Sequence, residues 1–511
     1  MSEKLILSIY FGYHDSAVTV ATPNKVLLHL LAERYFGRKN LRLDMAGMEE
    51  LVDAALCHLG ATISACERIL LASWASPYEE DAQSITLLGK TLPIARTGHH
   101  RNHAFSGPNR PAHGSLILCF DGGSEDGYAS LYEVDRDKLS QVACLDETLL
   151  TGKFYGTATQ LVLQPHFVSA HISDTGKLLG LSAYGSASAE IEKLIRANAD
   201  DINELHVTMP AELQARLGLS DGYDKPWMDR YRLDFAHTVQ RMWEQELLTQ
   251  LAPFASDRQL LLTGGCAHNV VANSLLANSG MFSKVIVPAA PGDGGQALGA
   301  LFDIYPATAT SSPYLGRSFA SVAALEAPAL AARVSADLLA GQVVGLYQNE
   351  SEIGARALGN RSILALASDP ENLQRVSIDV KGREPYRPLG PVALEGLIPQ
   401  LIESKADHSY LGFAPQATAF GAERMVAAVH VDGTTRIQSV NERQNPVMFC
   451  VLQQIRRDRN ELALVNTSLN VAGKPIADTQ QDAMECFESS GLDVLYIGHR
   501  RFAKAGPHDG S

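Results

Sequence analysis

Apolar positions at the start of the chain predict two closely spaced strands. They fill LILSIYFG, residues 5–12, almost without interruption, and a polar loop, Tyr13 to Ser16, separates this run from the β-branched run AVTV. Short continuous apolar runs bounded by turn residues are typical of strands that are buried on both faces. The pattern therefore predicts a strand, a tight turn and a second strand.

Three later apolar runs end in paired glycines. They are SLILCFDGG (115–123), QLLLTGGCAHN (259–269) and KVIVPAAPGDGGQALGALF (284–302). The second and third continue into patterns typical of helices. Glycine turns at strand ends direct backbone N–H groups toward anions, as helix N-termini do. Together these strand ends predict a phosphate-binding cleft in an α/β fold.

A change of composition predicts a domain boundary. The stretch 306–324, PATATSSPYLGRSFASVAA, is rich in proline, serine and small residues and has weak periodicity. We therefore expect a first domain over 1–315 and a second over 325–511, the latter opening with the helix ALAARVSADLLAG and containing the strands VVGLYQ and ELALVNTS. The long segment 186–258 is predicted to be mostly helical and to pack on the first domain, and it holds no recognisable chemical motif.

Composition and charge exclude several classes of protein. With 46% hydrophobic and 20% charged residues, the chain of 511 residues has the material for a folded enzyme. A net charge of −14 disfavours nucleic acid and anionic membranes as partners. The seven cysteines form no C-x-x-C pair, no apolar run reaches the ~18 residues of a membrane span, and the first residues do not resemble a signal peptide. We expect a soluble cytoplasmic protein.

Histidines and one aspartate suggest a metal site. His99 and His103 in HHRNHAFS are four residues apart, so a helix would present both on one face. Asp293 in PGDGG could add a hard oxygen ligand, which gives a two-histidine, one-carboxylate set suited to iron or another divalent metal. Surface or capping histidines are the alternative.

His14 and Asp15 follow the first predicted strand. A turn there would expose the imidazole at the edge of a cleft, where its ordinary pKa near neutrality suits proton abstraction. A helix-capping role for Asp15 is the alternative.

Cationic residues are concentrated in two loops of this acidic chain. GARALGNRS (354–362) and KGREPYRP (381–388) together hold Arg356, Arg361, Lys381, Arg383 and Arg387. Guanidinium groups bind phosphate and carboxylate oxygens bidentately, so the loops predict a site for a small dianion and a nucleotide phosphate, with solvated basic loops as the alternative. After LALV, Asn466 and Ser468 could hydrogen-bond a carbamoyl-like group or form an ordinary polar turn. P-loop, dinucleotide and α/β-hydrolase motifs do not occur.

These segments together resemble the NodU/CmcH/TobZ-type O-carbamoyltransferases, in the order of that family and across nearly the whole chain. The motifs are YHDSAV, AERYFGRKN, HHRNHAFS, FDGGSEDGYASLY, GKLLGLSAYG, LTGGCAHNVVANSLL, VPAAPGDGGQALGAL, IGARALGNRSIL, KGREPYRPLGP, LVNTSLNVAGKPI and GLDVLYIG. The resemblance implies an N-terminal actin-like ATPase domain of the TsaD-like type and a C-terminal YrdC-like α/β domain. It also implies that the second domain makes carbamoyl-adenylate from carbamoyl phosphate and ATP, and that the first transfers the carbamoyl group to a hydroxyl.

The resemblance also implies roles for individual residues. His14 would meet the acceptor hydroxyl, and His99, His103 and Asp293 would bind iron(II) or another divalent metal. The residues expected to line the adenylate in the first domain are Lys39, Gly122, Gly264, Gly265 and Asn269. Those expected to hold ATP, with Mg²⁺, and carbamoyl phosphate are Arg356, Lys381, Arg387, Arg436, Asn466 and Ser468. His268 stands where the family usually has an aliphatic residue, so it could tune acceptor choice or be a satisfied core histidine.

Three functions follow as hypotheses. The first is an ATP-dependent O-carbamoyltransferase acting on a small-molecule hydroxyl in antibiotic or other specialised metabolism, with a homodimer implied by the family. The second is tRNA threonylcarbamoylation, which the acidic charge balance and the domain order disfavour. The third is a non-enzymatic ATP-binding regulator of the actin-like superfamily, which the histidine–aspartate set and the arginine loops disfavour.

Overall fold

The computed structural model describes residues 4–72, 82–107, 111–136, 138–163, 174–204, 215–219, 225 and 228–504. The strands are β1 Leu5–Tyr10, β2 Ala17–Thr22, β3 Lys25–Leu31, β4 Cys66–Ala72, β5 Ser84–Leu87, β6 Lys90–Thr97, β7 Leu116–Ser124, β8 Gly127–Asp135, β9 Lys138–Cys144, β10 Ser256–Thr263, β11 Phe282–Ile286, β12 Val344–Tyr347, β13 Arg361–Leu366, β14 Gly390–Leu394, β15 Gln438–Val440, β16 Ala463–Ser468, β17 Val494–Ile497 and β18 Arg500–Ala503. The α-helices are Ala32–Tyr35, Met45–His58, His99–Phe105, Gly152–Leu163, Thr175–Ser182, Ala189–Ala197, Ala199–Glu204, Arg230–Leu251, Val270–Asn278, Gln296–Ile304, Ala327–Leu339, Glu371–Gln374, Ile398–Leu401, Ala419–Arg424, Pro446–Arg459 and Gln480–Ser489.

Two sheets of the N-terminal region repeat one topology. The first has the order β3-β2-β1-β4-β6-β5 and the second the order β11-β10-β7-β8-β9. In each sheet, three consecutive strands form an antiparallel meander, and the first strand of the meander also pairs in parallel with a later strand, β4 or β10. A further parallel strand, β6 or β11, follows. This duplicated α/β arrangement agrees with the expected actin-like fold.

The strands at the start of the chain follow the predicted pattern. Every residue of β1 and β2 is buried, because helices cover the sheet and the strands lie in its interior. The prediction of a strand, turn and strand is therefore confirmed. The first glycine pair differs from expectation: Gly122 and Gly123 lie within β7, where the pairing with β8 shifts register between Phe120 and Ser124. Such a shift bends a strand locally.

Two helices lie side by side between these sheets. The helix Gln296–Ile304 packs on the first sheet, and the helix His99–Phe105 packs on the second. They approach closely because residue 299 is glycine: a Cβ there would lie 1.9 Å from the carbonyl oxygen of Asn102. This contact brings residues from both halves of the N-terminal region to one cleft.

The C-terminal region forms a mixed α/β unit with its own core. Its seven strands have the order β15-β14-β16-β13-β12-β17-β18, and the helices Ala327–Leu339 and Pro446–Arg459 pack against them. The predicted helix and strands of this region are confirmed, as is the α/β class, whereas the exact domain bounds remain a prediction. Between the regions, Pro313 and Gly316 pair through backbone hydrogen bonds with Ile353 and Ser351.

The segment 186–258 is mostly helical where the structure describes it, and its last three residues, from Ser256, belong to β10. The helix Arg230–Leu251 buries Phe235 and Trp243 against the second sheet, as the sequence predicts. Residues 205–214, 220–224, 226 and 227 lie outside the described residues. Among the described helices, none combines the length and apolar character needed to cross a membrane.

Candidate active site

Four side chains converge in the cleft between the two sheets. His99 and His103 lie on one face of their helix, Asp121 lies near the end of β7, and Asp293 begins the turn before the helix Gln296–Ile304. Their ligand atoms all lie within 4.8 Å of one another. The Nε2 atom of His103 is 2.9 Å from Asp121 Oδ2 and 3.3 Å from Asp293 Oδ1. The predicted approach of the two histidines and Asp293 is therefore present in the structure.

The neighbours of these residues hold the carboxylates in place. The backbone N–H groups of Gly122 and Gly265 donate to Asp121, at 2.6 and 3.1 Å. The hydroxyl of the fully buried Tyr10 donates to Asp293 Oδ2 at 2.5 Å. Gly264 packs against the carbonyl of Phe120, next to Asp121. The glycines predicted to line the adenylate thus surround one of the acids.

The electrostatics of this cluster fit a cation. Burial raises the pKa of Asp121, but its interactions with His103 and His99 hold that pKa well below the usual range. Burial lowers the pKa of His103, yet the two aspartates raise it to about 9. Asp293 Oδ1 is buried without a hydrogen-bond donor. Two imidazole nitrogens and two carboxylates, one with an unsatisfied oxygen, suit a divalent transition metal.

Asp121 and Tyr10 are absent from the predicted set. Asp121 belongs to FDGG, a strand end that resembles the PGDGG of Asp293, so the sequence carried a signal for it. Tyr10 is the last residue of a uniformly buried strand, and only the fold shows its contact with Asp293.

His14 lies at the rim of the cluster. Its Nδ1 is 3.1 Å from Asp15 Oδ2, and its Nε2 is 3.7 Å from Asp293 Oδ2. Burial lowers the pKa of His14, but the hydrogen bond to Asp15 and the charge of Asp293 raise it to about 9. The side chain is 22% exposed, so a ligand in the cleft can reach it.

A second cluster consists of four cations from both regions, and we call it the cation cluster: Lys39, Arg356, Arg383 and Arg387. The side chains of Arg356 and Arg383 form no hydrogen bond or ion pair with a described residue, and Arg356 Nε is buried. Burial and the charge of Arg387 lower the pKa of Arg356 to about 10. Burial, Arg387 and Arg356 lower that of Arg383 to about 9. Burial and the charges of the same three arginines also lower the pKa of Lys39. Arg387 pairs with Glu384 at 3.6 Å, whereas Arg356 and Arg383 keep donors that suit an anion.

Other predicted anion-binding residues are engaged within the protein. The buried ammonium of Lys381 donates to the carbonyl oxygen of Ser468 at 2.6 Å and to both oxygens of Asn470. Arg436 Nε donates to the carbonyl oxygen of Leu411. Asn466 donates to Ala357 and Gln438, and its own Oδ1 is buried without a partner. Direct contact of these residues with ATP or carbamoyl phosphate remains a prediction.

Arg361 does not join the cation cluster, contrary to expectation. It is fully buried, its guanidinium stacks 3.8 Å from the ring of Tyr347, and it donates to backbone carbonyls, including those of Gln348 and Arg317. Its two terminal nitrogens are therefore used by the fold, whereas its Nε is buried without a partner.

Asn269 is held by a buried network. Its side chain caps the helix Val270–Asn278 by accepting from Ala272 N–H, and it exchanges hydrogen bonds with Gln240 at 3.0 and 3.1 Å. Gln240 also contacts Tyr155 and Glu244. Gln240 belongs to the helix Arg230–Leu251, so that helix supports the predicted adenylate site.

His268 lies beside Gly292, in the turn that leads to Asp293. A Cβ on Gly292 would lie 3.5 Å from His268 Nε2. Burial, followed by the charges of Arg356 and Arg436, lowers the pKa of His268 to about 3. The imidazole is therefore neutral at pH 7.

We expect His268 to make the protein sensitive to acid. The unfolded chain binds a proton at this residue near pH 6.5, whereas the folded protein resists it down to about pH 3, so the stability that a neutral His268 provides is lost as pH falls through this window. Between pH 6.5 and about pH 5, wild type should lose about 1–2 kcal/mol relative to His268→Gln. Thermal unfolding midpoints at both pH values test this, with the exposed His113→Gln as control. Parallel pH profiles for wild type and His268→Gln would contradict it.

Comparisons with known proteins agree on one family. The family description "Carbamoyltransferase N-terminus" matches residues 85–302, and "Carbamoyltransferase C-terminus" matches 335–504. Nodulation protein NolNO of Sinorhizobium fredii is 28% identical over 456 residues, 82% of this chain and 65% of that protein. The 3'-hydroxymethylcephem-O-carbamoyltransferase of Amycolatopsis lactamdurans is 29% identical over 355 residues, 65% of this chain and 66% of that protein. The chain thus spans slightly less than two thirds of each of these two relatives.

Solved structures give weaker similarities. Component A of the (R)-2-hydroxyglutaryl-CoA dehydratase of Acidaminococcus fermentans has a TM-score of 0.39 and 13% identity over 60% of this chain and 99% of that one. Full-length HypF in its phosphate- and nucleotide-bound form has a TM-score of 0.30 and 13% identity over 60% of this chain and 46% of that one. Both scores lie below 0.5, and the fold assignment rests on the strand order.

Proposed function

Because the chain belongs to the carbamoyltransferase family, through matches to both of its halves, we propose that this enzyme is an ATP-dependent O-carbamoyltransferase. In the first half-reaction, carbamoyl phosphate, ATP and one water give carbamoyl-adenylate, phosphate and pyrophosphate. In the second, the carbamoyl group passes to a hydroxyl of a small molecule of antibiotic or other specialised metabolism, and AMP leaves.

The observation that carries this proposal is the cation cluster, in which Arg356 and Arg383 lack a partner among the described residues. Phosphate groups of two substrates repel each other, so a site that binds both needs fixed positive charge with free donors. Arg356 and Arg383 supply such donors, since neither side chain has a partner among the described residues. Lys39 adds charge from the N-terminal region. This arrangement supports binding of ATP and carbamoyl phosphate between the two regions.

The histidine–aspartate cluster supports the transfer step. His99, His103, Asp121 and Asp293 would hold iron(II) or another divalent metal. When bound, such a cation supplies positive charge that offsets the carboxylates and polarises ligand oxygens. With the carboxylate charges offset, His14 can be neutral and accept the proton of the acceptor hydroxyl. Asp15 would hold the opposite ring nitrogen and orient the imidazole.

Two assays test the proposed function. Incubation of the enzyme with ATP and carbamoyl phosphate should release pyrophosphate only when both are present. Adding a panel of hydroxylated metabolites should give a product whose mass has increased by one carbamoyl group. Transfer of a threonylcarbamoyl group to tRNA instead would favour the threonylcarbamoylation alternative, which the net charge of −14 disfavours.

We expect His14→Ala to separate the two half-reactions. The variant should release pyrophosphate within about two-fold of wild type, because His14 lies beside the histidine–aspartate cluster and not in the cation cluster. Transfer to the acceptor should slow by about 100-fold or more, since a general base is lost. Exposed His113→Ala is the control and should change neither rate. An equal loss of both half-reactions in His14→Ala would contradict this division.

A further inference from the structure

Arg34 is a buried arginine of the N-terminal region that reaches into the C-terminal region. It lies in the short helix Ala32–Tyr35 and is 4% exposed. Its guanidinium donates to the carbonyl oxygens of Glu352 and Gly354, the latter at 2.6 Å, and to Ser351 Oγ at 3.3 Å. A side chain with this burial and these partners fixes a backbone rather than binds a ligand.

The backbone that Arg34 fixes is the loop that carries Arg356. We call residues 351–360 the Arg356 loop. Its two ends are joined by Glu352, whose Oε1 accepts the backbone N–H groups of Leu358 and Asn360 at 2.7 and 2.9 Å. Arg34 therefore holds one end of a closed loop, and Arg356 lies between the fixed points.

The Arg356 loop has little room to adjust. A Cβ at Gly354 would lie 2.0 Å from the carbonyl oxygen of Ala289, in the segment that leads to Asp293. The N–H of Ile353 donates to Pro313 at 2.8 Å, and the N–H of Gly316 donates to Ser351 at 2.9 Å. Contacts on several sides make the position of this loop depend on the N-terminal region.

The same short segment of the N-terminal region also supplies Lys39. Arg34 and Lys39 both belong to AERYFGRKN, and the charge of Arg356 acts on Lys39. We propose that Arg34 is a positioning residue that fixes the Arg356 loop opposite Lys39, so that the N-terminal region shapes the anion site of the activation half-reaction. This inference deepens the proposed function and rests on it.

Arg34→Lys tests the proposal, with Arg232→Lys as matched control. Arg232 is 1% exposed and donates to the carbonyl oxygens of Leu161 and Val162, within the N-terminal region. In the full-length protein, Arg34→Lys should raise the KM for carbamoyl phosphate in pyrophosphate release by about ten-fold or more, with a smaller change in kcat, because lysine cannot reach all three acceptors in the same geometry. Arg232→Lys should lower Tm about as much as Arg34→Lys does, but it should leave the KM for carbamoyl phosphate unchanged.

Amide hydrogen exchange gives a second measurement that does not require turnover. The N–H groups of residues 353–360 should exchange about ten-fold faster in Arg34→Lys than in wild type and should be unchanged in Arg232→Lys. Equal exchange of this loop in wild type and Arg34→Lys would overturn the positioning role, as would KM changes that match those of Arg232→Lys. Absence of pyrophosphate release in wild type would instead refute the proposed function, and the exchange comparison would still decide the role of Arg34.

Discussion

Replacing Arg356 with alanine is expected to lower pyrophosphate release, in the presence of ATP and carbamoyl phosphate, by about 100-fold or more. Its guanidinium has no partner among the described residues, so its donors are available to substrate anions. Removing one such preorganised donor from a desolvated site typically costs 100- to 1000-fold in rate. Pyrophosphate release is measured in steady state, and far-UV circular dichroism and Tm establish that the variant folds.

Arg459→Ala provides the control for this prediction. Arg459 ends the helix Pro446–Arg459 of the same region and is exposed, so its removal changes the net charge equally without touching the cation cluster. Pyrophosphate release by Arg459→Ala should stay within about two-fold of wild type. If a folded Arg356→Ala variant retained wild-type release, the anion site would lie elsewhere.

His103→Ala is expected to deplete bound metal and to abolish carbamoyl transfer. The imidazole is fully buried, and its Nε2 lies within 3.3 Å of both aspartates, so its removal takes away one ligand of the set. Loss of one of four ligands should lower bound metal by at least about ten-fold. Elemental analysis of purified protein measures the metal, and product mass measures transfer.

His100→Gln is the matched control, since it changes a neighbouring histidine of the same helix. His100 is 1% exposed, and its Nδ1 lies 3.0 Å from the hydroxyl of Tyr132, away from the four converging side chains. This variant should keep its metal. Equal metal content in wild type and a well-folded His103→Ala variant would show that the ion, if present, is bound at another place.

Local patterns were enough to predict most of the fold. The strands β1, β2 and β12 are short, uniformly buried runs, as is the second half of β10, and their hydrophobic residues indicate that burial directly. The helix spacing of His99 and His103 likewise predicts their common face, which the structure confirms. The relative position of distant elements is a different matter, since it depends on contacts such as Gly299 against Asn102 that no local pattern encodes.

The sequence did not indicate which arginine of a motif has free donors and which is used by the fold. Arg356 and Arg361 both belong to GARALGNRS, yet Arg356 is unpaired and Arg361 stacks on Tyr347 in the core. The difference arises because Arg361 begins strand β13 directly opposite Tyr347 of β12, on which its guanidinium stacks. Lys39, by contrast, is distant in sequence from the arginines whose charges act on it. Its proximity to them follows from the packing of the two regions, which no local sequence pattern predicts.

The repeated strand order of the first two sheets has an evolutionary consequence. Two consecutive segments of one chain with the same arrangement are the expected product of a tandem duplication, which presents the same kind of strand end twice. Once duplicated, the two copies were free to diverge. The first now carries His14 after β1, and the second carries Asp121 near the end of β7. The cleft thus lies between the two repeats, and the repeats remain coupled there, because Tyr10 of the first donates to Asp293, which follows β11 of the second.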